Sequence, residues 1–538
     1  MKLPLRAILL LVLLLISAGL RFQGLDWDSR IGAHPDERYV VDVASRLRFP
    51  DRLDPLVVAP EYAYGHLPLY VLAFAHLCVP KVDPLLVGRA VAASFDLCTV
   101  FLTWSLGRQI YEERVGLLAA GVIGLSLAHV QQAHFYTPDS ILVFFVLAAL
   151  LFAVRYAQHG RNVDLWFAGG AAGLAAGTKA TGVLLAIPLG MACLWHRWEL
   201  GPIARLVLAT VLAFVVADPF ALLNLRSFAG SLAVQGSILR GSLDVPYTRQ
   251  YHGTIPYLYP VVQQLRWGVG WVAGGGMLVG AVCHGLRILK EDPRPGPWIL
   301  VAWVIPTFAF LGGLYTKFPR YMLPLLPVVA ILGTAGAVNA TKSLRGGFRA
   351  VCVVILGTLL ARSVAFSAMY RVAHPWVEAS WWMTEHVQPG AAIAVEAWDH
   401  PLPIDAGDYE VVELPVFDDE TPEKWQRIEQ VLTEVDYLVV ASRRGYGSLA
   451  RWPSRYGPTT RYYASLFSGE LGFSPLACFG RYPRIGSLIL KDNPAAELPF
   501  ELPEMCESSF SRVWRQGRLD ESFVVYDHPT AILFKADP

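Results

Sequence analysis

The sequence predicts a polytopic α-helical membrane protein of about eleven transmembrane helices with a C-terminal extracytoplasmic α/β domain. Three observations lead there. Only 17% of the 538 residues are charged and 54% are hydrophobic, where a soluble protein carries about 25% charged residues. Mean hydropathy is +0.41. Apolar runs recur through the first two thirds of the chain, and short strand-like stretches replace them after about residue 371.

Eleven apolar segments are expected to span, at about 7–20, 85–107, 115–134, 139–157, 164–178, 180–195, 203–225, 260–285, 298–314, 321–340 and 350–370. The shorter run "LPLYVLAFAHLCV" at 67–79 reads as a re-entrant or interfacial helix. With a cytoplasmic N-terminus, every short inside loop is basic: Arg108 and Arg114, Arg155 and Arg161, Arg197 and Arg205, Arg287, Lys290 and Arg294, then Lys342, Arg345 and Arg349. That is the positive-inside pattern of an inner (plasma) membrane protein. Lys2 and Arg6 before the first run also suit a signal peptide. Removing that run would insert the next one from the wrong side, so it is read as an anchor.

Beyond 371, "AAIAVEAW", "YEVVELPVF", "VDYLVVAS", "FVVYDH" and "AILFKAD" read as strands. "TPEKWQRIEQVLTEV" reads as an amphipathic helix behind a Thr/Glu capping box. The expected division is a membrane domain at 1–371, with outer-face loops 21–84 and 226–259, and an extracytoplasmic domain at 372–538. The 16 Trp and 22 Tyr suit interfacial belts. Five cysteines, Cys78, Cys98, Cys193, Cys283 and Cys352, lie in or beside apolar runs and read as packing residues. Cys478 and Cys506 lie in a polar region and could pair if it is extracytoplasmic. Net charge is +1, so nothing argues for nucleic acid.

This topology gathers ionisable residues on one face. "GAHPDERYVV" brings Asp36 and Glu37 to the exit of the first span. Asp139 follows in "YTPDS", Lys179 in "GTKATG", Arg249 and His252 in the 226–259 loop, and Lys317, Arg320 and Tyr321 in "YTKFPRYMLP". Each has a plain alternative: solvated loop acids, a helix start at Pro138 and Asp139, snorkelling anchors at Lys179 and Arg320. Ionisable groups at membrane depth are costly and tend to mark function, and five separate turns converge here. Acids with several cations suit transfer of a group from a lipid phosphate to a hydroxyl. The leaving phosphate needs positive charge, from Lys179, Arg249, Lys317 or Arg320. The attacking hydroxyl needs a base, from Asp36 or Glu37.

The stretches "HPDERYVVDVASRL", "YGHLPLY", "YTPDS", "GTKATG" and "YTKFPRYMLPLLPVV" resemble the GT-C superfamily of integral-membrane glycosyltransferases, nearest in pattern to protein O-mannosyltransferases and bacterial lipid A aminoarabinose transferases. The resemblance covers most of 1–370. It implies a polyprenyl-phosphate-linked sugar donor, a lipid, protein or glycan acceptor, and membrane lipid around the site. It makes Asp36 the catalytic aspartate and Glu37 its neighbouring acid. It puts Asp139 at the second acidic position, Lys317, Arg320 and Tyr321 near the lipid phosphate, and Lys179 as a looser match. The pattern departs at His66, where relatives often carry Lys, and at Arg38 and Asp42 just after the acid pair. No residue is assigned as a metal ligand, and no cofactor is required; a divalent ion (Mg or Mn) shared by Asp36 and Asp139 stays open. The competing readings are a transporter or lipid flippase, an oligosaccharyltransferase using a lipid diphosphate, and an envelope assembly protein.

Overall fold

Each apolar segment expected to span contains helix. The computed structural model describes residues 5–49, 51–59, 64–196, 199–341, 345–492, 497–506 and 512–538. Lys2, Arg197 and Lys342 lie outside the described residues, as do the side chains of Arg345 and Arg349. Two compact units form. The first contains Met1–Leu25, Pro35–Ser242 and Ile255–Val364; the second contains Asp26–His34, Leu243–Thr254 and Ala365–Pro538. The expected single cut at 371/372 is thus replaced by a cut at 364/365. Two short segments of the outer-face loops also belong to the second unit.

The first unit opens with α1 (Leu5–Phe22), α2 (Pro35–Arg46), α3 (Leu67–Cys78) and the long α4 (Pro84–Ile110). Helices α5 (Glu113–Gly124), α6 (Leu127–Ala133), α7 (Pro138–His159), α8 (Asn162–Thr178), α9 (Ala186–His196) and α10 (Leu200–Ala217) follow. Next come α11 (Phe220–Leu223), α12 (Leu225–Arg240), α13 (Leu258–Gln263), α14 (Trp271–Glu291), α15 (Pro295–Gly312), α16 (Leu326–Ala340) and α17 (Arg345–Ser367). Among the described residues, seven helical runs can cross a membrane by length and hydropathy: α1, α4, α7, α10, α14, α15 and the run Ala350–His386. The pair α5 and α6, bent by 59°, would make an eighth. That falls short of the eleven expected, because segments such as α16, with 15 residues, are below the roughly 20-residue norm.

Two further expectations change. Residues 225–240, read as loop, form the 16-residue helix α12, capped by the Asn224 side chain on the Ser227 amide. The segment read as one span at 260–285 breaks between α13 and α14, where Gly270 takes φ +94° and residues 264–268 coil as a π-helix. Arg362 from α17 donates to the Arg266 carbonyl of that break at 2.9 Å. Arg21 does the same service at the α5–α6 bend. It donates to the Gly124 carbonyl at 2.8 Å and the Asp96 carboxylate at 2.7 Å, and His129 holds the other Asp96 oxygen at 2.7 Å. Buried cations here satisfy carbonyls that broken helices leave without a partner.

Helix α8 sets the position of Lys179 by its glycine stripe. Gly169, Gly173 and Gly177 face α10, and a Cβ at Gly169 would stand 2.8 Å from the Ala209 Cβ. Small residues four apart let two helix backbones meet.

In the second unit, α18 (Pro375–His386) precedes β1 (Ala392–Glu396), β2 (Glu410–Leu414), α19 (Pro422–Glu434) and β3 (Tyr437–Val440). Then come α20 (Arg444–Ser448), α21 (Gly457–Ser468), β4 (Phe473–Gly480), β5 (Arg484–Ile485), β6 (Leu488–Lys491), β7 (Arg512–Arg515) and β8 (Thr530–Ala536). A five-stranded sheet runs β2-β1-β3-β8-β4, with β1 parallel to β2 and β3, and β8 antiparallel to β3 and β4. A second sheet runs β5-β6-β7. Leu438, Ile532, Phe534, Tyr463 and Phe467 are buried in the unit's core. Thr421 caps α19 on the Lys424 amide at 3.3 Å; because the third helical position is Lys424, the full capping box does not form. "FVVYDH" is not a strand. It is a buried turn fixed by Tyr370 donating to Asp527 at 2.7 Å, and its apolar run gave the strand signal because burial alone produces it. Cys478 and Cys506 form a disulfide. Of the five other cysteines, Cys193 is buried, whereas Cys78, Cys98 and Cys283 are exposed on their helices rather than packed inside.

Candidate active site

Four turns of the first unit converge on one cluster. Asp36 lies in the first turn of α2, after Pro35, where a carboxylate also meets the positive end of the helix. Asp139 has the equivalent place on α7, after Pro138. Lys179 ends α8 in extended backbone, and Arg320 and Tyr321 lie in the 3₁₀ turn Pro319–Met322.

The Arg320 guanidinium is 2.5 Å from the Asp36 carboxylate. Lys179 donates to Asp139 at 2.9 Å, with its ammonium 4.7 Å from the centre of the Tyr321 ring and 6.0 Å from that of Tyr64. The two ion pairs share a field. Burial works against the Arg320 charge, yet Asp36, Tyr64 and Asp139 outweigh it and hold the guanidinium well above its usual range. Burial first, and then Asp36, raise the Tyr64 phenol, so it stays protonated and can donate a hydrogen bond. Tyr64 is the member that the sequence reading missed. A tyrosine beside apolar runs looks like a belt residue, and only its place two before His66 in "YGHLPLY" hinted otherwise.

Other candidates have further partners of their own. Glu37, expected to be catalytic, is fully buried and bonded at both oxygens. Arg89 donates at 3.0 and 2.8 Å, and the Tyr136 amide donates at 2.8 Å. That geometry ties α2 to α4 and to the turn before α7, so Glu37 positions its neighbour Asp36. His66 pairs with Asp218 at 3.0 Å; burial lowers the imidazole to about 4 and raises the carboxyl to about 7. An imidazole neutral at physiological pH brings no positive charge to this place. Lys317 donates to the Tyr315 carbonyl at 2.8 Å, and burial lowers its ammonium to about 8. Arg249 and His252 belong to the second unit. There Arg249 donates to the Phe417 carbonyl at 2.7 Å, and His252 packs on Trp452 with ring centres 4.7 Å apart.

Among the described residues, no three His, Cys, Asp or Glu side chains gather as a metal site would require. Asp36 and Asp139 are each paired with a cation, Arg320 and Lys179.

Residues 69–222, which include Asp139 and Lys179, match the family model described as dolichyl-phosphate-mannose-protein mannosyltransferase. No curated protein sequence matches the chain. Among solved structures, it resembles the Archaeoglobus fulgidus oligosaccharyltransferase in its apo form, with TM-score 0.53 and 16% identity over 85% of this chain and 72% of that one. The same organism's oligosaccharyltransferase AglB, in complex with an inhibitory peptide and a dolichol-phosphate, gives TM-score 0.53 and 15% identity over 85% and 72%. ArnT from Cupriavidus metallidurans in the apo state gives 0.49 and 15% over 88% and 93%. The chain has the fold of the GT-C superfamily of integral-membrane glycosyltransferases, the superfamily that its sequence motifs resemble.

Proposed function

We propose that this membrane protein is a glycosyltransferase that moves a sugar from a polyprenyl-phosphate carrier to an acceptor hydroxyl on the outer face of the membrane, with inversion. The observation that carries the reading is the meeting of two carboxylate–cation pairs, Asp36 with Arg320 and Asp139 with Lys179, around Tyr64 and Tyr321. A dolichol-phosphate bound to an oligosaccharyltransferase of this fold supports a lipid-phosphate donor. The Cys478–Cys506 disulfide supports an oxidising compartment for the second unit, and so the outward orientation.

In this mechanism the donor phosphate binds at Arg320 and Lys179, with Tyr64 donating a hydrogen bond and Lys317 adding charge nearby. The acceptor hydroxyl loses its proton to Asp36 as its oxygen attacks the anomeric carbon. The bond from that carbon to the phosphate oxygen breaks, and the polyprenyl phosphate leaves with the extra charge held by the two cations. Asp139 orients Lys179. Arg320 is shared: it pairs with Asp36 at rest, and an arriving phosphate competes for it and frees the carboxylate. No step is assigned to a metal ion.

The test is turnover by the purified protein in lipid, against a panel of polyprenyl-phosphate sugars with membrane extract as acceptor. Release of polyprenyl phosphate with one donor supports transfer and identifies the sugar. Transport of intact lipid across the bilayer without cleavage of any donor would put the flippase reading ahead.

A further inference from the structure

The second unit contains an apolar cavity of about 150 Å³ that no step above uses. One wall comes from the end of α17 and the turn after it: Ala365, Ala368, Met369 and Val372, spaced as one helical face. The opposite wall comes from the small sheet, through Ile489 and its cross-strand partner Arg484. Arg481 completes the rim, donating to Glu378 at 2.6 Å.

Three features say what belongs there. The lining helix continues directly from the membrane-spanning run that starts at Ala350, so its end lies where hydrocarbon gives way to headgroups. Its outward stripe stays apolar past that end, with Val364 52% and Val372 43% exposed. On the small sheet, exposed Arg484 and Arg515 share the face of Ile489, and two cations beside an apolar wall suit an anionic lipid surface. A cavity of about 150 Å³ with a mainly apolar lining has room for a small apolar group.

We propose that this cavity binds one anionic phospholipid, with acyl methylenes between Ala368 and Ile489 and the phosphate at Arg484. Two small alanines create the space, and the arginine at its mouth selects the headgroup charge. The bound lipid fastens the second unit to the bilayer where its chain emerges.

The experiment uses the full chain in phosphatidylcholine nanodiscs. Trace phosphatidylglycerol or phosphatidylcholine is added, each carrying a photoreactive diazirine on its acyl chain, and labelled peptides are mapped by mass spectrometry. The proposal expects the peptides with Met369 and Ile489 to be labelled several-fold more by the phosphatidylglycerol probe. Arg484→Glu should bring the two probes level. Ala368→Trp should remove label from both peptides and leave labelling of α4 and α7 unchanged, which also reports that the fold survives. Equal labelling by the two probes in the wild type would overturn the proposal. So would labelling indifferent to both substitutions. Inorganic phosphate should not compete; displacement of the probe by phosphate alone would assign the site to a free anion and overturn it as well.

Discussion

Arg320 and Asp36 come from nearly opposite ends of the membrane unit's sequence, and their charged groups meet at 2.5 Å. The pairing makes one cation serve two anions in turn, the base at rest and the lipid phosphate on binding. Replacing Arg320 with Met should therefore weaken the donor more than the chemistry. A charge-assisted hydrogen bond contributes about 1.5–3 kcal/mol, which corresponds to a rise in donor KM of roughly ten- to a hundredfold. Steady-state kinetics with varied donor would check it; an unchanged KM would show that the phosphate does not reach Arg320.

Lys179 has the same kind of role with a different partner. Lys179→Met should raise donor KM, and Asp139→Asn should do so less, because the ammonium keeps its ring contact with Tyr321. The double substitution should cost less than the sum of the singles, since both act through one pair.

Glu37 is expected to matter for stability. Arg89→Met strands a fully buried carboxylate and should cost about 3–5 kcal/mol, while Glu37→Met with Arg89→Met together should recover much of it. Thermal unfolding in detergent, followed by tryptophan fluorescence, would read this. The single variant melting at the wild-type temperature would show that the pair is not the clamp described.

The pH dependence should carry the mark of Lys317. Burial lowers its pKa to about 8, so the free protein loses this positive charge as pH rises through that value. Donor KM should then rise above about pH 8. A bound phosphate favours the protonated amine, so the transition in kcat should lie at higher pH than that in kcat/KM. The same depressed pKa makes folding more favourable as pH rises from the folded value toward the unfolded one, since the unfolded chain then binds more protons. Lys317→Met should flatten the KM profile.

Gly173→Leu tests whether helix packing places the site. A Cβ there would collide with the Thr210 carbonyl and come within 2.8 Å of the Ala213 Cβ. Overpacking of this kind costs about 1–3 kcal/mol. Lower thermal stability should come with lower turnover, because Lys179 follows directly on the helix that must shift; full turnover with a lower melting point would uncouple the two.

The sequence made Asp36, Asp139, Lys179, Arg320 and Tyr321 legible because charges at the ends of apolar runs are rare enough to stand out. Tyr64 was hidden by its chemistry, since an aromatic at a membrane boundary has an ordinary explanation. The Glu37–Arg89 pair was hidden by distance along the chain: nothing local shows that α4 will present a cation to α2. Arg249 and His252 fall in a loop between membrane helices, but local sequence does not reveal that Leu243–Thr254 packs with the second unit. In that unit, alternation and capping were enough for β1, β2, β3, β8 and α19. They failed for "FVVYDH", whose burial comes from tertiary packing rather than from a sheet.

The most direct measurement is release of polyprenyl phosphate by Asp36→Asn beside the wild type, with donor binding measured on the same samples. The mechanism predicts turnover reduced by roughly 10²–10⁴-fold, with donor affinity equal or higher because Arg320 is released to the phosphate. Turnover at the wild-type rate would contradict Asp36 as the base.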